Sequence, residues 1–116
     1  MNIIFNKEIA VYGYGMDVHR RSPDESGNFK IEIANKYYIP YRSLLPQNCR
    51  NLLVAGKTIS CQSQAMGGMR CMPAAMATGQ AAGTAAALSL NDQVSLRAID
   101  IKKLQNTLVS NGAIID

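Results

Sequence analysis

The sequence predicts an α/β fold, and three stretches carry that expectation. Phe29-Lys-Ile-Glu-Ile-Ala34 alternates apolar and polar side chains, the two-residue period of a half-buried strand. Asn51-Leu-Leu-Val-Ala-Gly56 is a short apolar run ending in glycine, the pattern of a buried parallel strand. Pro73 to Leu90 is dense in alanine and has strong helix propensity, enough for a helix about 27 Å long.

Taken in order, the chain begins with Asn2-Ile-Ile-Phe5 and Ile9-Ala-Val-Tyr12, short β-branched runs that read as strands. Gly13-Tyr-Gly15 opens like a dinucleotide fingerprint, but Val18 stands where a third glycine belongs and no helix pattern follows, so it reads as a turn. A polar loop rich in turn formers spans Arg20 to Asn28, ahead of the alternating strand. Tyr37 to Pro46 is held extended by Pro40 and Pro46, which bias Ile39 and Leu45 away from helix. Beyond the Asn51–Gly56 run, Gln62 to Ala65 leads into Met66-Gly-Gly-Met-Arg-Cys-Met-Pro73, where Pro73 takes a first helical position that needs no N–H. Asn91-Asp92 ends this helix. Asp100 caps a second one, with Ile101, Leu104 and Leu108 at helical spacing and Gly112 just past its end, and Ala113-Ile-Ile115 reads as a closing strand.

Within the long helix the large apolar side chains are Met76, Leu88 and Leu90. Gly79 and Gly83 lie one turn apart, with Ala75, Ala82 and Ala86 on overlapping faces. Each glycine weakens the helix by roughly 1 kcal/mol, so this small-residue face is expected to lie directly on backbone, that of the Leu52–Gly56 strand. Met66, Met69, Met72 and Met76 recur every three or four residues, a stripe expected to fill core.

Composition narrows the function. At 116 residues the chain is the size of one small domain, and 47% hydrophobic with 17% charged residues is ordinary globular balance. The net charge of +4 is spread along the chain, and with two Phe and no Trp it leaves no nucleic-acid footprint. Cys49, Cys61 and Cys71 are odd in number without CxxC spacing, which argues for free thiols in a reducing cytosol and against a disulfide framework or a metal site. The start of the chain lacks a basic, apolar leader. Gln80, Thr78, Thr84 and Ser89 interrupt the Met72–Leu90 segment, so a membrane span is not expected. A cytoplasmic protein follows.

Four pieces then line up. Asp17-Val-His19, Tyr38-Ile-Pro-Tyr-Arg-Ser-Leu-Leu-Pro46, Asn51-Leu-Leu-Val-Ala-Gly-Lys-Thr-Ile-Ser60, and Gly68-Met-Arg-Cys-Met-Pro73 with Ala77-Thr-Gly-Gln-Ala-Ala-Gly83 together resemble the C-terminal end of the FAD-dependent oxidoreductases of glutathione-reductase-type fold. The resemblance implies part of an FAD-binding domain with antiparallel strands of a substrate domain attached: residues 1–45 a remnant of the substrate domain, residues 46–116 the C-terminal part of the FAD-binding domain. The N-terminal βαβ unit with its full glycine fingerprint, which holds the dinucleotide in that family, has no counterpart in this sequence. A C-terminal fragment is therefore expected. Its partners would be FAD, a small-molecule substrate, and either the other half of the domain or a second copy recruited to the exposed edges of the Asn51–Ala55 strand.

By the same resemblance, Gly56 and Lys57 stand beside the ribityl chain, Gly68, Arg70, Cys71 and Met72 lie along the pyrimidine edge of the isoalloxazine, and His19, Tyr41 and Arg42 face the substrate. The helix start at Arg70–Ala74 also has a physical rationale. Reduced flavin gathers negative charge at N1 and O2, and a helix N-terminus and an arginine each stabilise such charge by about 0.3–2 kcal/mol. His19, the only histidine, suits a proton shuttle or is simply solvated in its polar loop. Arg42 either clamps a substrate carboxylate or anchors its strand. The rival reading is a folded remnant or homo-oligomeric interaction module without cofactor.

Overall fold

A computed structural model describes residues 7–13, 16–18, 29–31, 37–60 and 71–115. Strand β1, Glu8–Tyr12, and strand β4, Tyr37–Pro40, form one antiparallel pair, and β2, Met16–Val18, pairs antiparallel with β3, Phe29–Ile31. Two helices follow, α1 at Met72–Asp92 and α2 at Ile101–Ser110. Both pack against β1 and against each other, an α/β arrangement with its core between the β1–β4 ribbon and the helices.

The ribbon carries a β-bulge between Glu8 and Ala10. A regular strand alternates its faces, yet Ile9 and Ala10 are both buried, because the bulge sets two residues against one partner. The Glu8 carbonyl accepts a 2.8 Å hydrogen bond from Gln105 Nε2, so this irregular point is tied to α2. After β4 the chain curls into a 3₁₀ turn over Tyr41–Leu44, where extended backbone was expected, and Leu45 before Pro46 returns to the extended region.

The helix ends follow from local chemistry. Asp100 Oδ1 accepts from the N–H groups of Lys102 and Lys103 at 3.0 and 3.4 Å, the cap expected at α2. At its far end Gly112 takes φ +86°, Ala113 N–H donates to Leu108 and Gly112 N–H to Val109. This is a Schellman closure, and it holds Ala113 against the helix; Ala113–Ile115 is not a strand. The end of α1 closes in the same pattern, with Val94 N–H on Ser89 and Gln93 in the left-handed region at φ 53°. The Lys103–Asp92 ion pair at 2.8 Å is half exposed and joins the two helices at their surface, where such pairs contribute about 1 kcal/mol or less.

Three further expectations change. Asn51–Ala55 is not a strand: Leu52 is 50% exposed, and among the described residues the run's one backbone–backbone bond is from Val54 N–H to Leu44 O at 2.9 Å. A parallel strand needs neighbours on both sides, and among the described residues both strand pairs are antiparallel. The motive for strand-edge recruitment of a second copy goes with it. Met72 and Met76 do not fill core; they are 80% and 74% exposed. Finally, α1 buries Ala74, Thr78, Ala81 and Ala85, whereas Gly79, Gly83 and Ala86 are exposed. Among the described residues, a Cβ added at either glycine would meet no neighbouring segment within 4 Å. When both faces of a helix are made of alanine and glycine, side-chain size does not say which one is inside.

Gly83→Leu is accordingly expected to raise the urea midpoint, by several tenths of a kcal/mol in stability, because helix propensity improves and nothing is overpacked. A lowered midpoint would mean that this face is covered in solution.

The core crosses the expected boundary at residue 45. Ile9, Ala10, Ile39, Tyr41 and Leu44 from before it share one cluster with Ile59, Ala74, Ala81, Ala85, Ile99, Leu104 and Leu108 from after it. The bulky members come from the ribbon, the 3₁₀ turn after it, Ile59, Ile99 and α2. The alanines of α1 let those elements approach its backbone.

Candidate functional site

The site is built where α1 begins. Cys71 is the N-cap residue, extended at φ −74° and ψ 156°, and its side chain makes no capping hydrogen bond. Pro73 sits in the first turn, which holds no acidic residue. Ala75 N–H donates to Cys71 O at 3.2 Å and closes that turn. With no side-chain cap from Cys71 and no acidic residue in its first turn, this helix start keeps its positive dipole end for an electron-rich group. Cys71 is half-buried and Met72 exposed at this end.

Against the first two turns of α1 lies the 3₁₀ turn Gly56–Thr58. Gly56 is buried at φ +69°, where an L side chain is strained, and a Cβ there would stand 3.5 Å from Ala75 Cβ. Its N–H donates to Thr78 Oγ1 at 3.0 Å and its carbonyl accepts from Ile59 N–H at 3.2 Å. Thr58 Oγ1 adds a 2.8 Å bond to Ala55 O, and Lys57 is exposed at the apex of the turn.

The structure thus brings Gly56 and Lys57 against the helix that starts at Cys71 and Met72. Gly68, Arg70 and His19 lie outside the described residues. Tyr41 is elsewhere. It is buried, its hydroxyl donates to Leu96 O at 2.7 Å, and Leu96 borders a groove with Ala82, Ala86 and Leu90, along the C-terminal half of α1. From Ala74 to Ala86 the axis advances roughly 18 Å, so the Tyr41 hydroxyl belongs to the other end of the helix. Arg42, next in the chain, is exposed and engaged in an interaction of its own. Burial raises the Tyr41 hydroxyl above its ordinary pKa, and the nearby Arg97 guanidinium partly offsets this. Arg97 itself donates to Pro46 O at 2.6 Å.

The groove between Asn51–Leu53 and α1 has a volume of about 510 Å³. It is bordered by leucines and alanines with Asn51 and Ser89, and it presents no titratable side chain. It offers packing and no acid–base or redox chemistry.

The chain matches the family described as FAD dependent oxidoreductase over residues 3–108. It belongs to that family. No curated protein and no solved structure matches the chain. Use of FAD is thus a property of the family, and the residues at the start of α1 can be tested against it. The uncapped, acid-free helix end fits the electron-rich edge of a flavin ring. At Gly56 the positive φ favours glycine, and both backbone polar groups are bonded inside the protein. The Gly56 N–H is thus committed to Thr78.

Thr78 is the residue that sequence reasoning passed over. It looked like a polar interruption of an alanine helix, yet it is fully buried and hydrogen-bonded on two sides. A β-branched hydroxyl inside an otherwise small-residue helix was the available signal, since such hydroxyls bond back to the carbonyl four residues earlier. Among the described residues, no helix is long and apolar enough to cross a membrane, and no group of three or more His, Cys, Asp or Glu is placed to hold a metal ion.

Proposed function

We propose that this chain supplies the isoalloxazine-facing part of a cytoplasmic flavin-dependent oxidoreductase of the glutathione-reductase type. The observation that carries the reading is the start of α1, uncapped and free of carboxylates, with the Gly56–Thr58 turn packed on it. When bound, FAD supplies a hydride acceptor or donor at its ring. This chain's own residues then bind and orient. Backbone N–H groups of Met72 and Ala74 would meet the pyrimidine edge, Gly68, Arg70 and Cys71 are the other residues assigned to it, and the Arg70 guanidinium would add positive charge where negative charge develops. Lys57, held at the apex of its turn, reaches toward the ribityl side. His19 and Arg42 serve the substrate side, His19 moving a proton at an imidazole nitrogen and Arg42 holding an anionic substrate group. Tyr41 acts as a structural anchor, with its hydroxyl committed to Leu96.

The sequence carries no full glycine fingerprint or ribose-binding acid in a βαβ unit, and those groups supply much of the affinity for FAD. Titration of this chain with FAD is expected to move the amide resonances of Cys71–Ala75 and Lys57 while calorimetry gives a dissociation constant weaker than about 1 μM. Sub-micromolar binding would overturn the ring-side-only assignment. Unmoved amides at saturating FAD would overturn the flavin reading itself.

A further inference from the structure

Among the described residues, Thr78 is the one of polar or charged type that is buried, at 0% exposure. Its hydroxyl donates to Ala74 O at 2.7 Å, with Ala75 O a second acceptor at 3.2 Å, and accepts from Gly56 N–H at 3.0 Å. The proton is used inside α1, so a lone pair is left facing Gly56. Gly56 N–H, the Thr78 hydroxyl and the Ala74 carbonyl form one chain of hydrogen bonds, in which each bond polarises the next. Among the described residues no other hydrogen bond joins the Gly56–Thr58 turn to α1; its other bonds, Thr58 to Ala55 and Ile59 to Gly56, are local. A Cβ at Gly56 would meet Ala75 Cβ at 3.5 Å, an ordinary contact distance, so packing at this small residue does not fix the rotation or register of the turn. The directional hydrogen bond does that.

We infer that Thr78 is a positioning residue of the flavin-facing site: its hydroxyl fixes the Gly56–Thr58 turn, and Lys57 with it, relative to the Cys71–Met72 end of α1. The inference rests on the proposed role of that helix end, and it goes further by naming a residue that would touch no ligand. It concerns hydroxyl chemistry at one position. Valine matches threonine in shape and lacks both the donor and the acceptor, whereas serine keeps both and lacks the methyl group.

The test is amide hydrogen exchange followed by NMR on the full chain, for wild type, Thr78→Val and Thr78→Ser. Loss of the hydroxyl leaves Gly56 N–H without its partner, so in Thr78→Val the Gly56 and Ile59 amides are expected to exchange about tenfold faster, with Leu104 and Leu108 changed far less. Thr78→Ser should restore slow exchange. A merely structural role would accelerate all four amides together. Titration with FAD then supplies the second readout: the Lys57 shift should shrink in Thr78→Val and return in Thr78→Ser, and Val109→Ala, on the exposed side of α2, should leave it unchanged. If Thr78→Val does not fold, Thr78→Ser and Thr78→Ala make the same comparison, differing by the hydroxyl alone. Unchanged Gly56 exchange without the hydroxyl overturns the proposal whatever FAD does. An FAD titration that moves no amide in wild type overturns the flavin reading and the site half of the proposal, while exchange at Gly56 still decides whether the hydroxyl holds the turn.

Discussion

Leu104→Ala is expected to destabilise the chain by about 2–5 kcal/mol, the range for a fully buried leucine truncated in a core that closes only partly around the cavity. Leu104 has 0% exposure and, with Leu108, presents the bulky face of α2 to the core. The core cluster it belongs to includes Ala74, Ala81 and Ala85, side chains too short to swing into a space left behind. Domains of this size are stable by only about 5–15 kcal/mol, so the loss is a large share of the whole. Urea unfolding should show a lowered midpoint with an unchanged slope. Val109→Ala, on the exposed side of the same helix, should stay within about 0.5 kcal/mol of wild type. Equal effects at the two positions would mean that α2 is not docked as described.

What was legible in the sequence was what local chemistry decides. Pro73 marked the first turn of α1, Asp100 the cap of α2, and Gly112 the left-handed residue that closes it; each acts within four or five residues and needs no tertiary partner. Leu104 and Leu108 were placed on the buried side because large and polar residues alternate at helical spacing in α2. The same logic failed on α1, where alanine and glycine occupy both faces and the buried one is marked by a threonine. It failed again at Asn51–Ala55, because an apolar run becomes a strand only where other strands supply its hydrogen bonds, and Leu44 supplies just one. The curl at Tyr41–Leu44 lay equally beyond reach: Pro40 and Pro46 restrict the residues before them, not the four between.

The candidate site divides along the same line. A proline, no acidic residue in the first turn and an uncapped N-terminus are sequence-local facts, so the electropositive start of α1 could be anticipated. Gly56 is singled out by its backbone: at φ +69° an L side chain is strained, and that conformation alone favours glycine there. The residue that joins these two segments is Thr78, twenty-two positions from Gly56 in the chain. A separation of that kind is invisible to motif spacing.

Tyr41→Phe is expected to destabilise the chain by about 1–3 kcal/mol at neutral pH, because the Leu96 carbonyl loses a buried donor at 2.7 Å. That bond and the one from Arg97 to Pro46 tie the segment between α1 and α2 to the chain following β4, so the two helices lose part of their strap. The hydroxyl also sets an alkaline limit. Burial raises its folded pKa above the ordinary value near 10, with the Arg97 charge opposing but not reversing the shift. A folded pKa above the unfolded one means that the native state holds the proton longer. The Tyr41 contribution is therefore complete below about pH 10 and is lost as pH rises from there through the folded pKa, with a limiting slope of roughly 1.4 kcal/mol per pH unit. The stability gap between wild type and Tyr41→Phe, measured by urea unfolding from pH 7 to pH 11, should be constant up to about pH 9 and narrow above pH 10. Other tyrosines and lysines titrate in both proteins and cancel in that difference. A gap that stays constant across the whole range, or widens at high pH, would show that the Tyr41 hydroxyl is not buried against Leu96.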